Sequence, residues 1–169
     1  MAKNKMNIIL GIDPGLGHTG WGVIRRQDNK LSFIACGTIS SKPKDSLAHR
    51  LLFIKDGLQD VINKHSPDQC AIEETFVNKN PLSSLKLGHA RGAAILTCSL
   101  NGLNPYEYAA TLVKKTIVGA GRADKSQIAM MVKTLLPKAA ITSEDAADAL
   151  AVAICHCQHN TMNKLLESA

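Results

Sequence analysis

An apolar run that stops abruptly at an aspartate is the feature that most constrains this chain. Residues 6–21 read MNIILGIDPGLGHTGW, so aliphatic residues lead directly into Asp13, Pro14 and Gly15. A short apolar run bounded by Pro and Gly is typical of a central strand followed by a tight turn. The carboxylate of Asp13 then ends a core strand, where it needs donors, a counter-charge or a metal ion. It could also simply cap its own turn through the Gly15 or Leu16 amide.

Changes in hydrophobic period predict the order of the elements. Alternating apolar residues predict strands, and apolar residues three and four apart predict helices. The order is three strands, a helix, a strand, a helix, a strand and further helices, which favours an α/β fold with helices on both faces of a mixed sheet. One domain over 1–158 and a polar tail over 159–169 are expected. Strands are predicted at 8–13, 20–26, 31–40, 69–74 and 104–108, and the longer helices at 46–65, 81–101, 124–136 and 142–158.

Charge and composition narrow the function classes. The chain carries 20 Lys and Arg against 14 Asp and Glu, a formal net charge of +6. If some carboxylates are buried around metal ions, the surface is more basic still, which favours a polyanionic partner. No apolar segment approaches the roughly 18 residues of a membrane span. A cytoplasmic protein is therefore expected.

Acidic residues recur where acids are energetically expensive. Glu73 ends the predicted fourth strand, with Glu74 on the opposite face, and Asp145 and Asp148 share one face of the last predicted helix. Together with Asp13 they could hold divalent ions, and carboxylates without His or Cys favour magnesium or manganese over zinc. Alternatives remain for each alone: Asp145 could cap its helix, and Glu73 could form an ion pair.

Several motifs in order carry a resemblance to a known family. The segments GIDPG, TGWGV, AIEETF, LKLGHARG, YAATLVKKTIVGAGRADKSQ and EDAADALA resemble those of the RuvC family of Holliday junction resolvases, over about residues 7–156. The resemblance implies a ribonuclease H-like fold with three antiparallel strands followed by two parallel ones. It also implies a homodimer that nicks four-way DNA junctions in pairs, at short T-containing sequences. Two Mg²⁺ per subunit, with Mn²⁺ a plausible substitute, and a branch-migration complex of RuvA and RuvB type are further implications.

The same resemblance assigns roles to individual residues. It implies that Asp13, Glu73, Asp145 and Asp148 are catalytic metal ligands. Lys114 and Lys125 would hold the scissile phosphate, and Phe76 would be an aromatic wedge near the junction centre. Lys79 and Arg91 are further candidates for phosphate contact. Any one of these lysines could instead be an ordinary solvated side chain, and Phe76 could be a core residue.

Two further questions stay open at this level. Gly88 and Gly92 lie one helical turn apart, which suits close packing either on the chain's own sheet or on a second copy. Rival classes are a shorter resolvase-like protein of RNA processing, an actin-like or sugar-kinase phosphate-binding module, and a DNA-binding protein without catalysis. The last of these is disfavoured because clustered bare carboxylates would repel DNA.

Overall fold

A single mixed sheet organises the chain. The structure is a computed structural model that describes residues 6–74 and 79–167, with the backbone alone for 161–167. Within these residues there are five strands and five helices. The strands are β1 (Met6–Asp13), β2 (His18–Gln27), β3 (Lys30–Ser40), β4 (Gln69–Glu74) and β5 (Tyr106–Ala109); the helices are α1 (Leu47–His65), α2 (Pro81–Leu100), α3 (Ala110–Val118), α4 (Lys125–Leu135) and α5 (Glu144–Glu167).

The sheet has the order β3-β2-β1-β4-β5, with β1 at its centre. Strands β1, β2 and β3 pair antiparallel, while β4 pairs parallel with both β1 and β5. This confirms the predicted mixed sheet. The last helix differs from expectation, since it does not end near Gln158 but continues to Glu167. Residues 159–167 contain neither Pro nor Gly, so nothing in their backbone chemistry stops the helix.

Each face of the sheet has its own hydrophobic core, as the period-two pattern of the strands requires. Ile9, Ile24 and Ala71 point toward α3, α4 and α5. Leu10 and Ile72 point the other way, toward α1 and α2. Helices therefore cover both faces, as predicted, and the two faces can be called the α5 face and the α2 face.

Two glycines of the sheet, which have no side chain, let α5 lie directly on it. A Cβ atom on Gly11 would come within 2.1 Å of the carbonyl oxygen of Ala149. A Cβ atom on Gly20 would come within 2.0 Å of the carbonyl oxygen of Asp145. No side chain fits at such distances, so these two glycines allow backbone-to-backbone contact and fix where α5 begins.

Side-chain hydrogen bonds hold the start and the middle of α5. At its start, Ser143 Oγ accepts from the Ala146 amide at 3.0 Å and lies 2.6 Å from Thr38 Oγ1 of β3. Further along, the buried His156 contacts Tyr108 Oη through Nδ1 at 2.9 Å and Gln69 Oε1 through Nε2 at 3.1 Å. These contacts connect α5 to β3 at one edge of the sheet and to β4 and β5 toward the other edge. Among the described residues, no helix is long and apolar enough to cross a membrane.

Candidate active site

Strand register brings Asp13 and Glu73 together. Ile12 pairs with Ile72 across the parallel strands β1 and β4, so the next residue on each strand is Asp13 and Glu73. Alternation along a strand puts Asp13 on the same face as Gly11, which is the α5 face. Glu73 shares that face with Ala71, so Glu73 rather than Glu74 faces the site.

The start of α5 adds two more carboxylates at the same sheet edge. Asp13 pairs with Gly20 across β1 and β2, and Gly20 is the residue that seats the Asp145 backbone. Asp148 follows three residues later on the same helix and lines a cavity with Glu73. The close packing of α5 on Gly20 thus brings Asp145 and Asp148 to the strand ends that carry Asp13 and Glu73.

Burial and mutual repulsion raise the pKa values of these acids. Burial, followed by the charges of Glu73, Asp148 and Asp145, raises the pKa of Asp13 to about 8. Burial and the charge of Asp148 raise the pKa of Glu73 to about 7. Burial also raises the pKa of Asp148, with Lys125 opposing the rise. The site therefore gathers negative charge that the chain's own cations only partly offset.

The ordinary explanations for the acids fit the structure less well. The Gly15 amide donates to Thr19 Oγ1 at 3.3 Å, so that turn amide does not depend on Asp13. Ser143, and not Asp145, caps the start of α5. Within residues 6–74 and 79–167, no ion pair includes Glu73. Neither turn capping at Gly15 nor a salt bridge accounts for the cluster.

Two lysines border the carboxylates. Lys114 of α3 and Lys125 of α4 line a cavity of about 160 Å³ together with Glu73 and Asp148. Lys125 Nζ also donates to Glu144 Oε2 at 3.1 Å, although both side chains are largely exposed. Cations and carboxylates thus face one another across a space open to a ligand.

The remaining predicted DNA contacts lie elsewhere or outside the described residues. Phe76 belongs to 75–78, which the structure does not describe. Lys79 is exposed just before Asn80, the residue that caps α2. Arg91 of α2 forms an ion pair with Glu107 of β5, and its side chain is only 25% exposed. In this structure the ion pair holds the Arg91 guanidinium against Glu107 and mostly out of solvent.

The acids fit a hard divalent cation by their chemistry. Carboxylate oxygens are the ligands that Mg²⁺ and Mn²⁺ prefer, and the raised pKa values show that the negative charge lacks full compensation. In the part of the chain that the structure describes, no three His, Cys, Asp or Glu side chains already converge as a complete metal-binding group. Like charges repel, so a shared cation would stabilise these carboxylates in their ionised form.

Sequence reasoning missed residues that act through the backbone or through a partner. Glu144 has no predicted role in the sequence, yet it pairs with Lys125 from another helix. Gly20 is predicted only as the first residue of the second strand, yet it also lets the backbone of α5 pack on β2. A Gly paired with a strand-terminal Asp in a predicted hairpin is the signal that could have identified the second.

The sheet order, the helices on both faces and the acids at the ends of β1 and β4 define a ribonuclease H-like α/β protein. Residues 9–156 match the family profile described as crossover junction endodeoxyribonuclease RuvC. The chain belongs to this RuvC family.

Individual relatives and solved structures agree with that assignment. The RuvC of Azorhizobium caulinodans is 55% identical over 92% of this chain and 92% of the relative, and that of Paramagnetospirillum magneticum is 56% identical over 93% and 95%. The structure of T. thermophilus RuvC in complex with a Holliday junction substrate is 30% identical, with a TM-score of 0.86 over 93% of this chain and 96% of that one. The yeast mitochondrial Holliday junction resolvase, 10% identical with a TM-score of 0.65 over 95% and 85%, shares the fold.

Proposed function

We propose that this protein is a magnesium-dependent crossover junction endodeoxyribonuclease that resolves four-way DNA junctions by paired, symmetric nicks. One observation carries the proposal: acids from three distant parts of the chain lie near enough to one another at one sheet edge to raise the pKa of Asp13, and two lysines border them. Membership of the RuvC family and the likeness to a RuvC bound to a Holliday junction support the same substrate. We expect the protein to act in the cytoplasm, in recombination and repair.

The carboxylates have distinct parts in the proposed hydrolysis. Two Mg²⁺ ions, or Mn²⁺ in their place, would activate a water and stabilise the leaving oxygen of the phosphodiester. Asp13, which is flanked by the other acids, would hold the ions together with Glu73 and Asp145. Asp148 would support the ligands or orient the water. All four must be ionised to do this, so cation binding has to overcome the raised pKa values of Asp13 and Glu73.

The lysines supply positive charge that does not depend on a metal ion. Lys114 and Lys125 border the cavity that Glu73 and Asp148 line. A phosphate in that space would meet both ammonium groups, which would offset the charge that develops on its oxygens during attack. Glu144 would release Lys125 when the phosphate arrives, because an exposed lysine–carboxylate pair is weak. Lys79 would contact a phosphate of the DNA, and Phe76 would act as the aromatic wedge near the junction centre.

A homodimer would give the two equivalent sites that paired nicking needs. Helix α2 offers a surface for a second copy, because a Cβ on Gly88 or Gly92 would meet no atom within 4 Å. Leu85 and Leu96, which are 58% and 60% exposed, share that helix face with the two glycines. We call this surface the α2 strip: Leu85, Gly88, Gly92 and Leu96. Such a dimer would receive junctions from a branch-migration complex of RuvA and RuvB type.

Cleavage of a synthetic four-way junction tests the proposal. Wild type should nick opposite strands of the junction symmetrically with Mg²⁺, and should leave a linear duplex of matched sequence intact. Asp13→Asn should lower the cleavage rate at least about 10³-fold, because one metal-binding carboxylate is lost. Junction affinity of this variant, measured without metal, should stay within a few fold of wild type.

Other outcomes would point to other classes. Equal cutting of junction and duplex would indicate a general nuclease. Binding of the junction without cutting under any divalent cation would indicate the DNA-binding protein without catalysis. Full activity of Asp13→Asn would remove the acid cluster from the reaction.

A further inference from the structure

A cleft on the α2 face lies beside the acid site but has no role in the account above. It has a volume of about 220 Å³ and lies between the β1–β2 turn and the starts of α1 and α2. Leu16 in its wall follows Asp13 by only three residues, so the cleft and the acids share one edge of the sheet. We call it the Arg50 cleft; its lining includes Leu16, Asp45, Arg50, Leu82, Lys86 and His89.

The guanidinium of Arg50 is held in place by its neighbours. Arg50 Nε donates to Ser41 Oγ at 2.9 Å, and the buried Ser41 hydroxyl donates to the Leu16 carbonyl at 2.5 Å. Arg50 Nη2 lies 3.9 Å from where a Cβ on Gly17 would stand. One edge of the guanidinium is thus anchored to the turn after Asp13, which leaves its terminal nitrogens for a ligand. An oriented guanidinium fork is well suited to phosphate oxygens.

The cleft has more positive than negative groups. Lys86 of α2 shares the lining with Arg50, and these two cations face a single carboxylate, that of Asp45. In the part of the chain that the structure describes, no ion pair joins Asp45 to Arg50 or Lys86. The cationic groups are therefore not neutralised by the chain itself. An anion can bind there without first displacing an internal partner.

Exposed leucines make one wall of the cleft apolar. Leu82 is 68% exposed and Leu47 is 42% exposed, and both line the cleft. Leu85, which belongs to the α2 strip, also lines it, so the cleft borders the proposed dimer surface. Cations opposite an apolar wall suit a phosphate that carries a sugar and base better than a free inorganic anion.

We propose that the Arg50 cleft is a second DNA-backbone subsite, which holds a phosphate of the junction strand away from the cleavage centre. The inference rests on the proposed function and deepens it. A strand that lies across the acids on one face reaches the cleft by passing the shared sheet edge, and from there it borders the second subunit. The subsite contributes binding and positioning, and it takes no part in the chemical step.

Lys86→Ala tests the subsite, with Lys64→Ala as the matched control. Both lysines are exposed helical residues, so the two variants lose the same charge and side chain. Lys64 lies about 20 Å along α1 from Arg50, toward the opposite sheet edge. Junction dissociation constants are measured over a range of salt concentrations without metal, and single-turnover cleavage is measured with Mg²⁺ at saturating protein.

Lys86→Ala should weaken junction binding about 3- to 10-fold at moderate salt. It should also reduce the slope of log Kd against log salt by about one, because one phosphate contact is lost. The saturated cleavage rate should stay within about twofold of wild type, and Lys64→Ala should match wild type throughout. Arg50→Lys, with its fold checked by thermal unfolding, should weaken binding at unchanged charge because the fork is lost.

The inference and the proposed function fail in different ways. If Lys86→Ala binds like Lys64→Ala while wild type prefers the junction, the subsite is wrong and the proposed function stands. The same holds if Lys86→Ala lowers only the saturated cleavage rate. If wild type shows no preference for the junction over the duplex, the proposed function fails and the subsite fails with it.

Discussion

Glycines on the two faces of this sheet meet opposite surroundings. On the α5 face, Gly11 and Gly20 lie so close to the helix that a methyl group would overlap backbone oxygens. On the α2 face, the glycines of the α2 strip, Gly88 and Gly92, look into open space. Contacts within the chain explain the first pair, whereas no contact among the described residues explains the second pair. Glycine therefore allows close backbone packing within the chain on the α5 face, and it lies at an open surface of helix α2 on the other face.

The two faces also differ in electrostatics. The α5 face holds the half-buried acids whose pKa values are raised, while the core of the α2 face consists of aliphatic residues, alanine and cysteine. In the proposed mechanism, stability and catalysis are therefore opposed on the α5 face, because ionised carboxylates destabilise the fold unless cations offset their charge. The following tests probe this difference between the faces.

The largest effect we expect is a loss of stability with rising pH in metal-free protein. The folded-state pKa of Asp13, about 8, lies above its ordinary value of 3.8, so the folded protein binds more protons than the unfolded chain between these values. The free energy of unfolding should therefore fall as the pH rises from about 4 to about 8, by up to about 1.4 kcal/mol per pH unit for each such carboxyl. Chemical denaturation in a chelator measures it.

Variants on the two faces sharpen that test. Asp13→Asn should flatten the profile, and Mg²⁺ should restore stability of the wild type near pH 8. Asp60→Asn, at an exposed position of α1, should leave the profile unchanged. A flat wild-type profile would contradict the burial of ionisable acids on the α5 face.

Gly20→Ala should have the next largest effect. Its methyl group would overlap the Asp145 carbonyl oxygen, so α5 must shift away from β2. We expect a loss of about 3 kcal/mol in the free energy of unfolding and a strong loss of junction cleavage. Gly57→Ala is the control on the other face, and it should cost less, because the three atoms nearest to its methyl group, at 2.8 to 3.0 Å, belong to the Ile39 side chain and not to backbone. Equal effects of the two substitutions would show that α5 is not seated on the glycines.

Gly88→Ala should have the smallest effect on folding, and of opposite sign. With no atom within 4 Å of its Cβ, the substitution should stabilise the monomer by about 0.5 to 1 kcal/mol through helix propensity. The same methyl group should weaken self-association, because it holds two α2 helices apart. Denaturation at high dilution and sedimentation over a concentration range measure the two effects. An unchanged dimer dissociation constant would place the dimer contact elsewhere.

The two faces also differ in how much of their structure can be predicted from the sequence. Apolar runs that end in Asp13 and Glu73 predicted both strand ends, and register then required the acids to be neighbours. Side-chain pairs between distant elements were beyond such reasoning: nothing local marks Glu107 as the partner of Arg91, whose contact with a phosphate stays a prediction. The position of α5 was also out of reach, since it depends on backbone contact at Gly20, which periodicity does not report.

The central position of β1 in the sheet has a consequence for local opening of the structure around the candidate site. Hydrogen bonds to β2 on one side and β4 on the other enclose this strand, so amide exchange at its residues requires the sheet itself to open. Lys114 and Lys125 ride on peripheral helices joined by a short glycine-containing connection. We therefore expect amide exchange to be slower at the backbone of β1 than at the ends of the helices that carry Lys114 and Lys125.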